Sequence, residues 1–72
     1  MEFAILTQNK EMIVPFTHAI DIEKMHGSNC CNIYTGTILL GSYRDMDRAK
    51  QVIDDICSAI YSRASICAMP KE

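Results

Sequence analysis

Asp45-Met46-Asp47-Arg48-Ala49-Lys50-Gln51-Val52-Ile53-Asp54-Asp55-Ile56-Cys57-Ser58-Ala59-Ile60-Tyr61-Ser62 is the stretch whose reading decides the fold. Ala49, Val52, Ile53, Ile56 and Ile60 recur at three- and four-residue steps, which gathers them on one side of an α-helix. Arg48, Lys50, Gln51, Asp54, Asp55 and Ser58 fall on the other side. Asp45 suits the N-cap, because its carboxylate can accept from the free N–H groups of the first turn. Asp47 adds negative charge at the positive end of the helix dipole. The helix is expected to end near Ser62.

Everything on the N-terminal side of Asp45 reads as strand and turn. Glu2 to Thr7 is short and rich in strand formers, and Met12-Ile13-Val14 is a second apolar run. The polar Gln8-Asn9-Lys10-Glu11 between them makes the pair a hairpin, with Asn9 able to take a left-handed conformation. Pro15 has no N–H for a ladder and belongs at a strand end, an edge or a bulge. Phe16 to Glu23 alternates with period two, Phe16, His18, Ile20 and Ile22 on one face and Thr17, Ala19, Asp21 and Glu23 on the other. Gly27, Ser28 and Asn29 break that pattern into a loop. Cys31 to Tyr34 and Ile38 to Leu40 flank Thr35-Gly36-Thr37, a second hairpin with a tight turn. Gly41 marks a bulge or a close approach by the following helix. Beyond the helix, Ser65 to Met69 forms a short last strand before Pro70. The fold class expected is α+β: a small antiparallel β-sheet of four or five strands, built from hairpins, packed against one C-terminal helix.

The 72 residues suit one domain, 1–72, because independent cores rarely come smaller. With 49% hydrophobic and 22% charged residues the chain is not of disordered composition. Its net charge is -2 and its Lys and Arg residues are scattered, so the basic stripe of a nucleic-acid binder is missing. No apolar run approaches the ~20 residues of a membrane span, and the N-terminus does not read as a secretion signal, so the expected location is the cytoplasm.

In that compartment Cys30, Cys31, Cys57 and Cys67 are read as free thiols. Cys57 and Cys67 are expected to be small buried hydrophobes, and Cys30 and Cys31 to open a strand, one facing in and one facing out. Adjacent cysteines do not have the spacing of a structural zinc site, even with His18 and His26 in the neighbourhood, so no metal or other cofactor is expected. No thiol has a marked activating base, and the adjacent Asp54 and Asp55 point in different directions on a helix. No catalytic residue is therefore assigned and no enzymatic activity is expected.

One helix covers only one face of such a sheet, yet both faces carry apolar residues: Phe3 and Ile5 against Ala4 and Leu6, Ile38 and Leu40 against Leu39. Self-association into a homo-oligomer is the expected solution. Tyr34, Leu39 and Tyr43 are the candidate interface residues, since aromatic residues are enriched where chains meet.

The segments Thr7-Gln8-Asn9-Lys10-Glu11-Met12-Ile13-Val14, Leu40-Gly41-Ser42-Tyr43-Arg44-Asp45-Met46-Asp47-Arg48-Ala49-Lys50-Gln51-Val52-Ile53-Asp54-Asp55-Ile56 and Met69-Pro70-Lys71-Glu72 occur in that order. Together they resemble a group of small uncharacterised sheet-plus-helix proteins of Gram-positive bacteria and their phages or prophages. The shared motifs are structural: a hairpin, a Leu-Gly-x-Tyr strand end, a capped helix and a terminal Met-Pro. The Cys30-Cys31 loop is outside the shared pattern and is where a specialised function would reside. The resemblance implies a compact sheet-plus-helix domain and carries no defined activity. With a phage or prophage origin, the expectation is a non-catalytic binding module that sequesters or blocks a host factor, a host protein or a small signalling molecule, in the manner of phage proteins that counter bacterial immunity. The alternative is a structural or regulatory accessory protein of the bacterium with no role in phage defence.

Overall fold

The computed structural model describes residues 3–16 and 19–72. Six strands and one helix follow one another: β1 (Ala4–Leu6), β2 (Ile13–Pro15), β3 (Ile20–Lys24), β4 (Cys31–Thr35), β5 (Ile38–Tyr43), α1 (Met46–Tyr61) and β6 (Ile66–Ala68). The architecture is α+β, but the strands form two three-stranded sheets, ordered β2-β1-β6 and β3-β4-β5, rather than one sheet of four or five. The first sheet is also not purely antiparallel, because β6 lies parallel to β1, with Ile5 opposite Cys67. The physical reason is the connection. A parallel neighbour cannot be joined by a tight turn and needs a long crossover, and the whole run from β2 to α1 lies between β1 and β6.

The first hairpin forms as its sequence indicates, with Ile5 opposite Val14. Its turn works differently from the expectation for Asn9. Lys10 takes the left-handed conformation, φ 63°, while the Asn9 Oδ1 accepts from the Glu11 N–H at 3.1 Å and from the Thr7 hydroxyl at 2.7 Å. Asn9 thus closes the turn with its side chain instead of its backbone. Pro15 ends β2, the edge strand of its sheet, where no N–H is needed. The alternating strand begins later than its pattern suggests, at Ile20, and Phe16 stands before it with its N–H donated to the Phe3 carbonyl at 2.9 Å. Thr17 and His18 lie outside the described residues, as do Met1 and Glu2.

The second hairpin turns through Gly36 at φ 61°. The pairing slips between Ile33–Gly41 and Tyr34–Leu39, so Leu40 is the extra residue of a bulge. That slip keeps Leu40 inside and restores the alternation so that Tyr43 also points in, 1% and 2% exposed respectively. Gly41 is approached not by the helix but by Tyr43 and Gln8: a Cβ there would stand 2.9 Å from the Tyr43 Oη and 3.1 Å from the Gln8 Cβ.

The helix matches its reading closely. The Asp45 carboxylate accepts from the Arg48 N–H at 2.8 Å, and Ala49, Val52 and Ile56 are buried. Ile53 is half-buried and Ile60 is largely exposed. The helix stops in a Schellman motif, Arg63 N–H to Ile60 carbonyl and Ala64 N–H to Ala59 carbonyl, with Arg63 left-handed at φ 63°.

A single core joins both sheets to the helix: Ile5 and Val14 from the first sheet, Cys31, Ile33, Leu40 and Tyr43 from the second, and Ala49, Val52 and Ile56 from α1. Met69 closes it. Gln8 stitches the sheets together. Its N–H donates to the Leu40 carbonyl at 2.8 Å, its side chain exchanges bonds with the Ser42 N–H and carbonyl, and it also donates to the Lys71 carbonyl. The tail is held further by Tyr43, whose hydroxyl donates to the Pro70 carbonyl at 2.8 Å, and by Arg48, which donates twice to the Glu72 carbonyl.

Candidate interaction surface

Tyr34, Leu39 and Tyr43 do not lie on one surface. Tyr34 and Leu39 are register partners across β4 and β5 on the outer face of the second sheet, and Leu39 is 46% exposed. Tyr43 points the other way. It is buried, its hydroxyl is committed to Pro70, and the Arg48 guanidinium stands 5.9 Å from its ring centre. Burial pushes its phenol up to about 12, although Arg48 pulls in the opposite direction. Tyr43 is a core residue and contributes nothing to a surface of this protomer.

The outer face around Tyr34 and Leu39 is polar. The register sets Asp21, Tyr34 and Leu39 in one row and Glu23, Asn32 and Ser42 in the next. Ser42 donates to the Asn32 Oδ1 at 2.6 Å, and Asn32 donates to the Tyr34 hydroxyl at 3.4 Å. With two carboxylates, an amide and two hydroxyls this face is largely polar, and Leu39 is its exposed apolar residue.

The other sheet is different. Ile5, Val14 and Cys67 form its inner row. Its outer face consists of two rows, Pro15–Ala4–Ile66 and Ile13–Leu6–Ala68. All six positions are apolar. Ile13 is 61% exposed and Ile66 48% exposed. The four positions on the flanking strands are exposed and the central Ala4 and Leu6 half-buried, while α1 packs against β4, β5 and β6. Sequence reasoning noticed Ala4 and Leu6 here but missed Ile13, Pro15, Ile66 and Ala68. The signal was available: Ala4-Ile5-Leu6, Met12-Ile13-Val14-Pro15 and Ile66-Cys67-Ala68 are continuous apolar runs, and a strand covered on one side only should alternate.

The cysteines also redistribute. Cys31 is fully buried, its thiol 3.6 Å from the Asn29 carbonyl, while Cys30 is half-buried just before β4. Cys57 is exposed, contrary to expectation, because it lies on the helix side away from Ala49, Val52 and Ile56; Cys67 is only half-buried, at the rim of the core. Burial and, secondarily, the Asp55 carboxylate push the Cys67 thiol up, which disfavours the nucleophilic thiolate. Among the described residues, no three His, Cys, Asp or Glu side chains gather closely enough to hold a metal ion.

Two open depressions lie beside the β3–β4 loop. One, of about 560 Å³, is formed by the β3–β4 loop from Lys24 to Asn29. Its neighbour, of about 430 Å³, lies between that loop and the helix start at Asp45, Met46 and Asp47. In the second depression the Asp45 carboxylate is already spent on the helix cap and the lining mixes Lys24 with Asp45 and Asp47, so it does not select one sign of ligand charge; the first is lined by Lys24, His26 and uncharged loop residues. No helix among the described residues is long and apolar enough to cross a membrane. The chain matches no protein-family model, no curated protein and no solved structure.

Proposed function

We propose that this chain is a non-catalytic protein-binding module whose working surface is the outer face of the β2-β1-β6 sheet. The observation that carries the reading is the composition of that face, apolar at all six register positions with Ile13 and Ile66 about half exposed or more. Contiguous exposed apolar surface of this kind, on the order of 400 Å², marks interaction sites on small proteins. Burying it against an apolar strip of a partner is favoured by roughly 25 cal/mol for each Å² removed from water. The resemblance to small phage and prophage proteins supplies the kind of partner: a host factor, held or blocked by occupancy and not by chemistry.

Affinity capture from the producing cells with three forms of the chain tests this. Wild type and a Tyr34→Ser/Leu39→Ser variant are expected to retain the same partner, and Ile13→Lys/Ile66→Lys is expected to lose it. Retention by the last form, or loss only in the Tyr34/Leu39 variant, would transfer the function to the other sheet.

A further inference from the structure

Each sheet has two edges, and three of the four are closed to another strand. Pro15 blunts β2 by removing an N–H. Gln8 caps β5 with its main chain and side chain. On β3, the charged Asp21, Glu23 and Lys24 discourage pairing. The remaining edge is that of β6. In its parallel ladder Ala4 donates to the Ser65 carbonyl and Met69 donates to the Leu6 carbonyl, both across 2.9–3.0 Å. The main-chain groups of Ile66 and Ala68 therefore point away from β1. The Ala68 carbonyl has only a weak contact from the Cys67 thiol at 3.9 Å. Ile66 and Ala68 carry neither charge nor proline, so shortness, three residues before Pro70, is this edge's protection.

We infer that β6 pairs with β6 of a second copy about a two-fold axis through Cys67, joining two protomers into a six-stranded sheet β2-β1-β6-β6′-β1′-β2′. The register follows from which groups are free. Ile66 of one chain faces Ala68 of the other and the two exchange N–H···O bonds, twice by symmetry. Cys67 then faces Cys67 of the other copy as a non-hydrogen-bonded pair, whose Cα atoms stand about 4.5 Å apart. The area agrees. The chain exposes 5051 Å², whereas a compact monomer of 8.1 kDa exposes about 4,500 Å². The excess, about 550 Å², is shared between the open outer face and the β6 edge, and is of the size from which a small two-fold interface can draw its share. This inference goes beyond the binding reading and stands independently of it: pairing at the edge leaves the outer face open and doubles it into one continuous apolar platform.

The native Cys67 serves as the probe. In a Cys30→Ser/Cys57→Ser variant, which keeps the buried Cys31, copper-phenanthroline takes two electrons from facing thiols, and a covalent dimer that needs Cys67 is expected on a non-reducing denaturing gel. A disulfide requires Cα atoms about 4.4–6.8 Å apart, which this register satisfies. Sedimentation of wild type across a hundredfold dilution series should show a mass twice 8.1 kDa. Ala68→Pro, which removes an edge N–H while sparing the β1 ladder, should return it to one chain with an unchanged circular dichroism spectrum. A single-chain mass at every concentration, or a dimer without a Cys67 cross-link, would overturn the proposal. Ala68→Pro keeps Ile13 and Ile66 in place, so partner capture by that variant, set beside its mass, lets the two readings fail separately.

Discussion

Tyr43 shows how one residue joins several levels of this fold. Its ring lies in the core, its hydroxyl fastens the tail at Pro70, and Arg48 lies over its face while holding Glu72. Sequence alone marks it as a tyrosine near a strand end, with nothing to show that the Leu40 bulge would turn it inward. Its phenol, raised by burial to about 12 from 10.0, provides a pH test. The fold favours the neutral form, so its contribution to stability is complete below pH 10 and is lost as pH rises from 10 towards 12. In a Tyr34→Phe/Tyr61→Phe background, where Tyr43 alone reports, the phenolate absorbance band should emerge only towards pH 12, together with loss of structure. Emergence near pH 10 with the fold intact would show that the ring is not buried as described.

At the scale of elements, the helix was legible almost to the residue because three independent signals agree there: apolar spacing, an N-cap and first-turn charge. The two hairpins were legible from their turns. What was not legible was the partition of strands between sheets. Strand pairing is non-local, and nothing in Ile66-Cys67-Ala68 announces that it will lie beside β1 in parallel and not extend the β3-β4-β5 sheet. The same three-residue strand moved Cys67 from the core to its rim. The helix end offers a test of local detail. Arg63 occupies a left-handed position that glycine takes without steric cost, and a side chain there typically costs about 1 kcal/mol. Arg63→Gly should therefore raise the urea midpoint by an amount equivalent to several tenths of a kcal/mol or more, after glycine's extra unfolded-state entropy is offset. A fall in the midpoint would contradict the Schellman geometry.

For the whole molecule, the division into two sheets explains why one face is solvated and the other is not. The helix covers the inner sides, the outer side of β3-β4-β5 carries Asp21, Glu23, Asn32 and Ser42, and the outer side of β2-β1-β6 carries none of these. The expectation of apolar residues on both faces was sound for the first sheet, from Phe3, Ala4, Ile5 and Leu6. Of the three candidate interface residues, Tyr43 is buried in the core, while Tyr34 and Leu39 lie on the more polar outer side of the second sheet. The central claim is that the outer face of β2-β1-β6 is surplus to folding and available for contact. Urea denaturation of Ile13→Lys/Ile66→Lys, below micromolar concentration so that association does not contribute, tests it most directly. The account predicts an unfolding free energy within about 0.5 kcal/mol of wild type, the usual range for surface substitutions. A loss of several kcal/mol would mean that Ile13 and Ile66 are part of a core, and would contradict the account.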